Sequence, residues 1–147
     1  MMNKLDASCI FCKIITGEIP SYTIYEDDNI KAFLDLSQAT PGHTLVVPKT
    51  HIKDIFAYDA DLAAKTFAKI PLIASAIKTS NPKIVGMNIV NNNGTVAYQS
   101  VFHSHFHLIP RYSENDDFKM IFGDNSKAYT EAQLASIQST IQAELRN

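Results

Sequence analysis

The chain has no tryptophan, five glycines and two cysteines in 147 residues. The glycines, at 17, 42, 86, 94 and 123, are so scattered that neither GxGxxG nor GxxxxGK[ST] can be written anywhere. Any phosphate must therefore be held without a glycine-rich loop. Two cysteines in a compartment expected to be reducing argue against a disulfide framework and leave metal binding, redox work or burial. No segment approaches the ~20 apolar residues of a bilayer span, and "MMNKLDASCIFCKIITGEIP" holds no apolar run long enough for a signal-peptide core. A cytoplasmic location and no membrane partner are the expectation. Basic residues are isolated and the net charge is −2, so the electrostatic footprint of a nucleic-acid binder is missing.

What is present is the composition of an ordinary globular protein, with neither repeats nor low-complexity stretches, and the length fits a single domain over residues 1–147. Ser8 can cap a short helix carrying Ile10, Phe11, Ile14 and Ile15 at helical spacing, stopped by Gly17 and Pro20. "YTIYED" (22–27) and "NIKAFLDL" (29–36) read as paired antiparallel strands around an acidic turn, and "GHTLVVPK" (42–49) as a third strand. A longer helix opens at Asp59 or Asp61 and runs to "SNP" at 80–82, with Pro71 expected to kink it. "KIVGMNIVN" (83–91) is a fourth strand, the histidine-rich segment ending at Pro110 a fifth, and the capping box "TEAQ" (130–133) starts a last helix. Antiparallel strands grouped around one main helix indicate an α+β fold with a sheet of about five strands.

"VFHSHFHLIP" (101–110) places three of the five histidines at alternate positions. On a strand, His103, His105 and His107 would share one face while Phe102, Ser104, Phe106 and Leu108 share the other. A single histidine is usually a satisfied core or surface residue, but three on a buried face need partners for six ring nitrogens. Two chemistries suit such a cluster. It could be a His₃ metal site that activates water, or one imidazole could attack an electrophile while its neighbours orient it and hold developing charge.

"HSHFHLI" follows the pattern His-φ-His-φ-His-φ-φ apart from Ser104, and in this it resembles the histidine triad (HIT) family. "CIFCKIITGEIPS", "IYEDDNIKAFLDLSQATPGHTLVVPKTHI" and "NNNGTVAYQSVFHSHFHLIPRY" are similar to successive blocks of the bacterial nucleotide hydrolases of that family, over residues 9 to about 112. The resemblance implies a HIT-like fold and cleavage of nucleoside 5′-phosphoramidates, adenylates or dinucleoside polyphosphates through a nucleotidyl-histidine intermediate.

On that resemblance His105 is the nucleophile, the carbonyl of His103 fixes its tautomer, and His107 and His43 border the phosphate. Asn91, Gln99 and Ser100 are implied at the phosphate end, Asp35 at the ribose hydroxyls, and Phe33 and Leu36 at the base. The resemblance further implies a purine nucleotide substrate, with adenosine favoured, and a homodimer. Cys9, Cys12, His51 and His103 are implied as a Cys₂His₂ zinc set with a structural role. Relatives carry glycine where this chain has Tyr98, so a narrowed phosphate rim or an ordinary backbone is expected there. Two rival readings stand beside this one: a zinc hydrolase using the triad as ligands, and a non-catalytic nucleotide-binding scaffold.

Overall fold

The computed structural model describes residues 3–145; the outermost two residues at each end of the expected 1–147 domain lie outside them. A short helix α1 (Ile10–Ile15) precedes strands β1 (Thr23–Glu26), β2 (Ile30–Leu34) and β3 (Thr44–Pro48). Helices α2 (Ala60–Phe67) and α3 (Ile70–Ser80) follow, then β4 (Gly86–Val90), β5 (Phe106–Arg111) and a last helix α4 (Glu131–Glu144). The strands form one antiparallel sheet in the order β1-β2-β3-β5-β4, with β5 between β3 and β4. Among the described residues no helix is long and apolar enough to cross a membrane.

The turn between β1 and β2 is built by Asp27, whose Oδ1 accepts the backbone N–H groups of Asn29 and Ile30. Both faces of the central strands are covered, so β3 reads as a continuous buried run rather than an alternation. Ile30, Ala32, Val46, Phe106 and Leu108 pack against Ile70, Ile73 and Ile77 of α3. Phe33, Leu45 and Val47 point the other way and meet Phe11 and Ile14 of α1. His107 alternates with Phe106 and Leu108, so it stands on the α1 face.

Several sequence expectations need correction. The helix expected over 59–80 is two helices rather than one kinked helix, because Pro71 lies in the first turn of α3 and its ring is incompatible with a helical carbonyl at Phe67. Asp59 does open α2, its carboxylate accepting from the N–H of Leu62 at 2.8 Å. The cap of α1 is Cys9, not Ser8: the Cys9 sulfur accepts from the N–H of Cys12 while the Ser8 hydroxyl turns to Asp6. The fifth strand starts only at Phe106, leaving His103 and His105 on irregular backbone, and Phe102 is 42% exposed instead of joining the core. Ser104 is buried and has the partner its hydroxyl requires, the O–H of Tyr58 at 3.1 Å.

Helix α4 carries its capping box at Thr130 and Gln133 and is exposed along its whole length, presenting Leu134, Ile137 and Ile141 to solvent. Strand β4 is an edge of the sheet.

Candidate active site

A cavity of about 390 Å³ opens on the α1 face of the sheet, a size that suits a small organic ligand. Its apolar wall comes from Ile10, Ile14, Ile19, Phe33, Leu36 and Leu45, and its polar end from Asp35, Asn92, Ser100, His105 and His107. Five of the expected residues, Phe33, Asp35, Leu36, Ser100 and His107, thus meet His105 around one pocket.

The tautomer of each triad histidine follows from what its ring nitrogens face, since a backbone carbonyl can only accept and a backbone N–H can only donate. His105 Nδ1 lies 2.7 Å from the carbonyl of His103, so Nδ1 carries the proton and Nε2 keeps a lone pair. His103 Nε2 donates to the carbonyl of Pro48 at 2.8 Å, which leaves the His103 Nδ1 lone pair facing the cysteines. His43 Nδ1 accepts the N–H of Ala39 at 3.2 Å, so its proton sits on Nε2 and is donated to His107 Nδ1 across 2.9 Å. His107 is then left with an N–H at Nε2. The start of β5 and the irregular residue before it therefore present a lone pair at His105 beside an N–H donor at His107.

Burial holds these rings neutral. It pushes His105 and His43 below the ordinary imidazole range, and pushes His103 down to about 4. His107 also falls to about 4, through burial first and then the neighbouring His105 and His43. Phe11 of α1 packs edge-on against the His105 ring with centroids 5.0 Å apart, and against His103 at 5.9 Å. The His105 ring is thus clamped by an aromatic neighbour that the sequence offered only as a core residue.

Asn91 and Gln99 do not reach the pocket. Asn91 Nδ2 donates to the carbonyl of His105 at 2.9 Å and its Oδ1 accepts from Asn93. Gln99 is buried with every polar atom committed: Oε1 accepts the N–H of Gly94, and Nε2 donates to the carbonyls of Lys53 and Val101. Both are braces for the loop between β4 and β5, and the asparagine facing the cavity is Asn92. Nothing in a run of three asparagines distinguishes the second from the first.

Tyr98 lines the rim of the pocket in a left-handed conformation, φ 67°, the only non-glycine residue with positive φ among the described residues. The expectation of either ordinary backbone or a narrowed rim is resolved as neither alone: the glycine-like backbone is kept, at a cost of roughly 1–2 kcal/mol for an L-residue, and a ring is added at the rim.

Four donors converge beside the pocket. Cys9 Sγ and Cys12 Sγ each lie 3.5 Å from His103 Nδ1, Cys12 Sγ lies 3.5 Å from His51 Nδ1, and the two Nδ1 atoms are 3.2 Å apart. Tetrahedral zinc with bonds of about 2.0 Å to nitrogen and 2.3 Å to sulfur requires separations of roughly 3.3–3.8 Å. The donor set fits, and the Pro48 carbonyl that orients His103 is the kind of outer partner such a site uses. The triad itself does not converge on one point. His103 belongs to the cysteine cluster, His107 to a group with Asp35 and His43, and His105 to neither. In that second group the proton on His43 Nε2 occupies the lone-pair position a metal would need. The reading of the triad as a ligand set for a hydrolytic zinc is corrected accordingly.

Fold and pocket together define an α+β protein that presents a buried, neutral, oriented imidazole to a cavity sized for a small organic ligand. The HIT domain family model matches residues 16–114, and the chain belongs to the HIT family. It is 48% identical over 134 residues to Protein hit of Bacillus subtilis (strain 168), covering 91% of this chain and 92% of that one. Adenosine 5′-monophosphoramidase HNT1 of Saccharomyces cerevisiae is 43% identical over 116 residues, with 75% and 66% covered. Among solved structures, a HIT family member from Bacillus subtilis superposes with a TM-score of 0.92 at 46% identity, covering 95% of this chain and 99% of that one. A zinc-bound histidine triad family protein from Mycobacterium smegmatis does so at 0.71 and 38% identity, with 90% and 97% covered.

Proposed function

We propose that the protein is a nucleotide hydrolase or transferase that cleaves nucleoside 5′-phosphoramidates, adenylates or dinucleoside polyphosphates, adenosine compounds preferred, through a nucleotidyl group carried on His105. The observation that carries this reading is the 2.7 Å contact from His105 Nδ1 to the His103 carbonyl, which leaves Nε2 unprotonated at the pocket. The name of the yeast relative, an adenosine 5′-monophosphoramidase, supports the substrate class.

In the first half-reaction the His105 Nε2 lone pair forms a bond to phosphorus and the bond to the leaving group breaks. The leaving group departs with that electron pair and takes a proton from water at the open mouth. The His107 Nε2–H donates to a phosphoryl oxygen, and Ser100 and Asn92 lie at the same polar end. In the second half a water oxygen bonds to phosphorus, the P–Nε2 bond breaks, and the water proton returns to solvent. Asp35 offers carboxylate oxygens to the ribose hydroxyls, while Phe33, Leu36, Ile10 and Ile14 enclose the base.

Cys9, Cys12, His51 and His103 would hold zinc, which ties α1 to the segment carrying His105 and takes no part in the chemistry. The zinc-bound mycobacterial structure supports that assignment. A homodimer accounts for the uncovered apolar residues of α4 and the unpaired edge of β4. Rapid-quench mass spectrometry with adenosine 5′-phosphoramidate tests the reaction: a nucleotidyl mass on the peptide containing residues 103–107 is expected, and none with His105→Gly. Tight nucleotide binding with neither adduct nor turnover would favour the scaffold reading instead.

A further inference from the structure

The loop between β4 and β5 holds one residue in a conformation its side chain disfavours. Tyr98 sits at φ 67°, ψ 19°, where glycine is the comfortable occupant, and it is 86% exposed. The surrounding bonds over-determine that conformation. The Tyr98 N–H donates to the Thr95 carbonyl, the Gln99 N–H donates to the Gly94 carbonyl, and the buried Gln99 side chain bonds Gly94, Lys53 and Val101. An aromatic ring maintained on strained backbone at the mouth of a pocket calls for a role at that pocket.

In-line displacement on phosphorus places the leaving group opposite the nucleophile. His105 is 5% exposed and Tyr98, on the same lining, is 86% exposed, so a leaving group expelled away from the buried imidazole exits on the solvent side that Tyr98 borders. The buried part of the apolar wall, Phe11 and Ile14 of α1, Phe33 of β2 and Leu45 of β3, serves one flat ring system, and Tyr98 supplies a second aromatic face, on the loop that continues through Ser100 toward His105.

We propose that Tyr98 is a specificity residue for the leaving group, stacking an aromatic or heteroaromatic ring there, so that among nucleoside 5′-phosphoryl substrates this chain selects those whose leaving group carries such a ring. The inference rests on the hydrolase reading above. Its test is the ratio of kcat/KM for adenosine 5′-phosphoramidate of tryptamine to that for adenosine 5′-phosphoramidate itself, whose leaving group is ammonia. Tyr98→Gly should lower this ratio roughly five- to tenfold, the scale of one stacked ring pair, while Tyr98→Phe keeps it within about twofold. Because glycine relieves the strained backbone, an unchanged or raised Tm for Tyr98→Gly excludes misfolding as the cause. If Tyr98→Gly alters both substrates by the same factor, or neither, while the wild-type chain still forms the adduct on His105, the leaving-group role is overturned and the hydrolase reading survives. Absence of the adduct from the wild-type chain with both compounds overturns both.

Discussion

His43 Nε2 lies 2.9 Å from His107 Nδ1, and because His43 Nδ1 already accepts the N–H of Ala39, the proton between the two rings belongs to His43. A backbone amide outside the triad thereby determines which nitrogen of His107 carries its proton, two bonds away. The consequence is a donor at His107 beside a lone pair at His105, whose ring centroid is 5.0 Å distant.

Replacing His43 with alanine removes the donor that sets this tautomer and leaves His107 Nδ1 unpaired. The expected result is a fall of about 10- to 100-fold in kcat/KM, the range associated with misplaced catalytic groups, with the adduct on His105 still forming slowly. Single-turnover kinetics check it; an unchanged rate of adduct formation would show that the His43–His107 bond is irrelevant to the chemistry.

Truncating Phe11 to alanine empties space between α1 and the His103 and His105 rings. A loss of about 3–5 kcal/mol in stability is expected from such a buried aromatic, read by urea denaturation. Phe11→Leu keeps most of the volume but loses the edge-on contact. It should fold and show lowered kcat, and wild-type kcat in that variant would assign Phe11 to packing alone.

Zinc is expected at about one ion per chain by atomic emission, given four donors at tetrahedral spacing. Chelation, or Cys12→Ser, should lower Tm and raise KM more than it lowers kcat. The reason is that α1 bears both Cys12 and the pocket residues Ile10 and Ile14. Retention of full nucleotide affinity by a metal-free chain would separate the two sites.

Acid should destabilise the fold before it changes the surface. His107 has a folded pKa of about 4 against 6.5 for the free side chain, so between those values the unfolded chain binds a proton that the native one refuses. Stability is therefore full above about pH 6.5 and is lost as pH falls toward 4. The loss is at most about 3 kcal/mol for this group and less once its partial exposure is counted. Urea midpoints across that interval measure it, and a His107→Asn chain should show a shallower pH dependence.

How much of this was legible before folding differs from feature to feature. The strands around Asp27, the capping box at Thr130 and the helix opened by Asp59 depend on neighbours within a few residues, and local pattern located them. The alternation in "HSHFHLI" singled out the segment whose His105 and His107 line the pocket even though only His107 of the three lies on a regular strand: Ser104 turns to Tyr58 while His103 and His105 meet Phe11. Pro71 was visible as a disturbance, but whether it would bend or divide the helix depended on how α2 and α3 pack on the sheet.

What the sequence determined by itself was the inventory: five imidazoles, two thiols and a set of apolar periods able to bury them. Only the tertiary structure decided where each proton resides, because that depends on groups far along the chain, such as the Pro48 carbonyl that meets His103 across 55 positions. The same is true of Asn91 and Gln99, whose short-range pattern was compatible with the pocket until the carbonyls of His105 and Lys53 claimed their side-chain amide nitrogens. A ring nitrogen or a side-chain amide has two ends, and its chemistry is settled by whichever distant partner the fold brings to the other one.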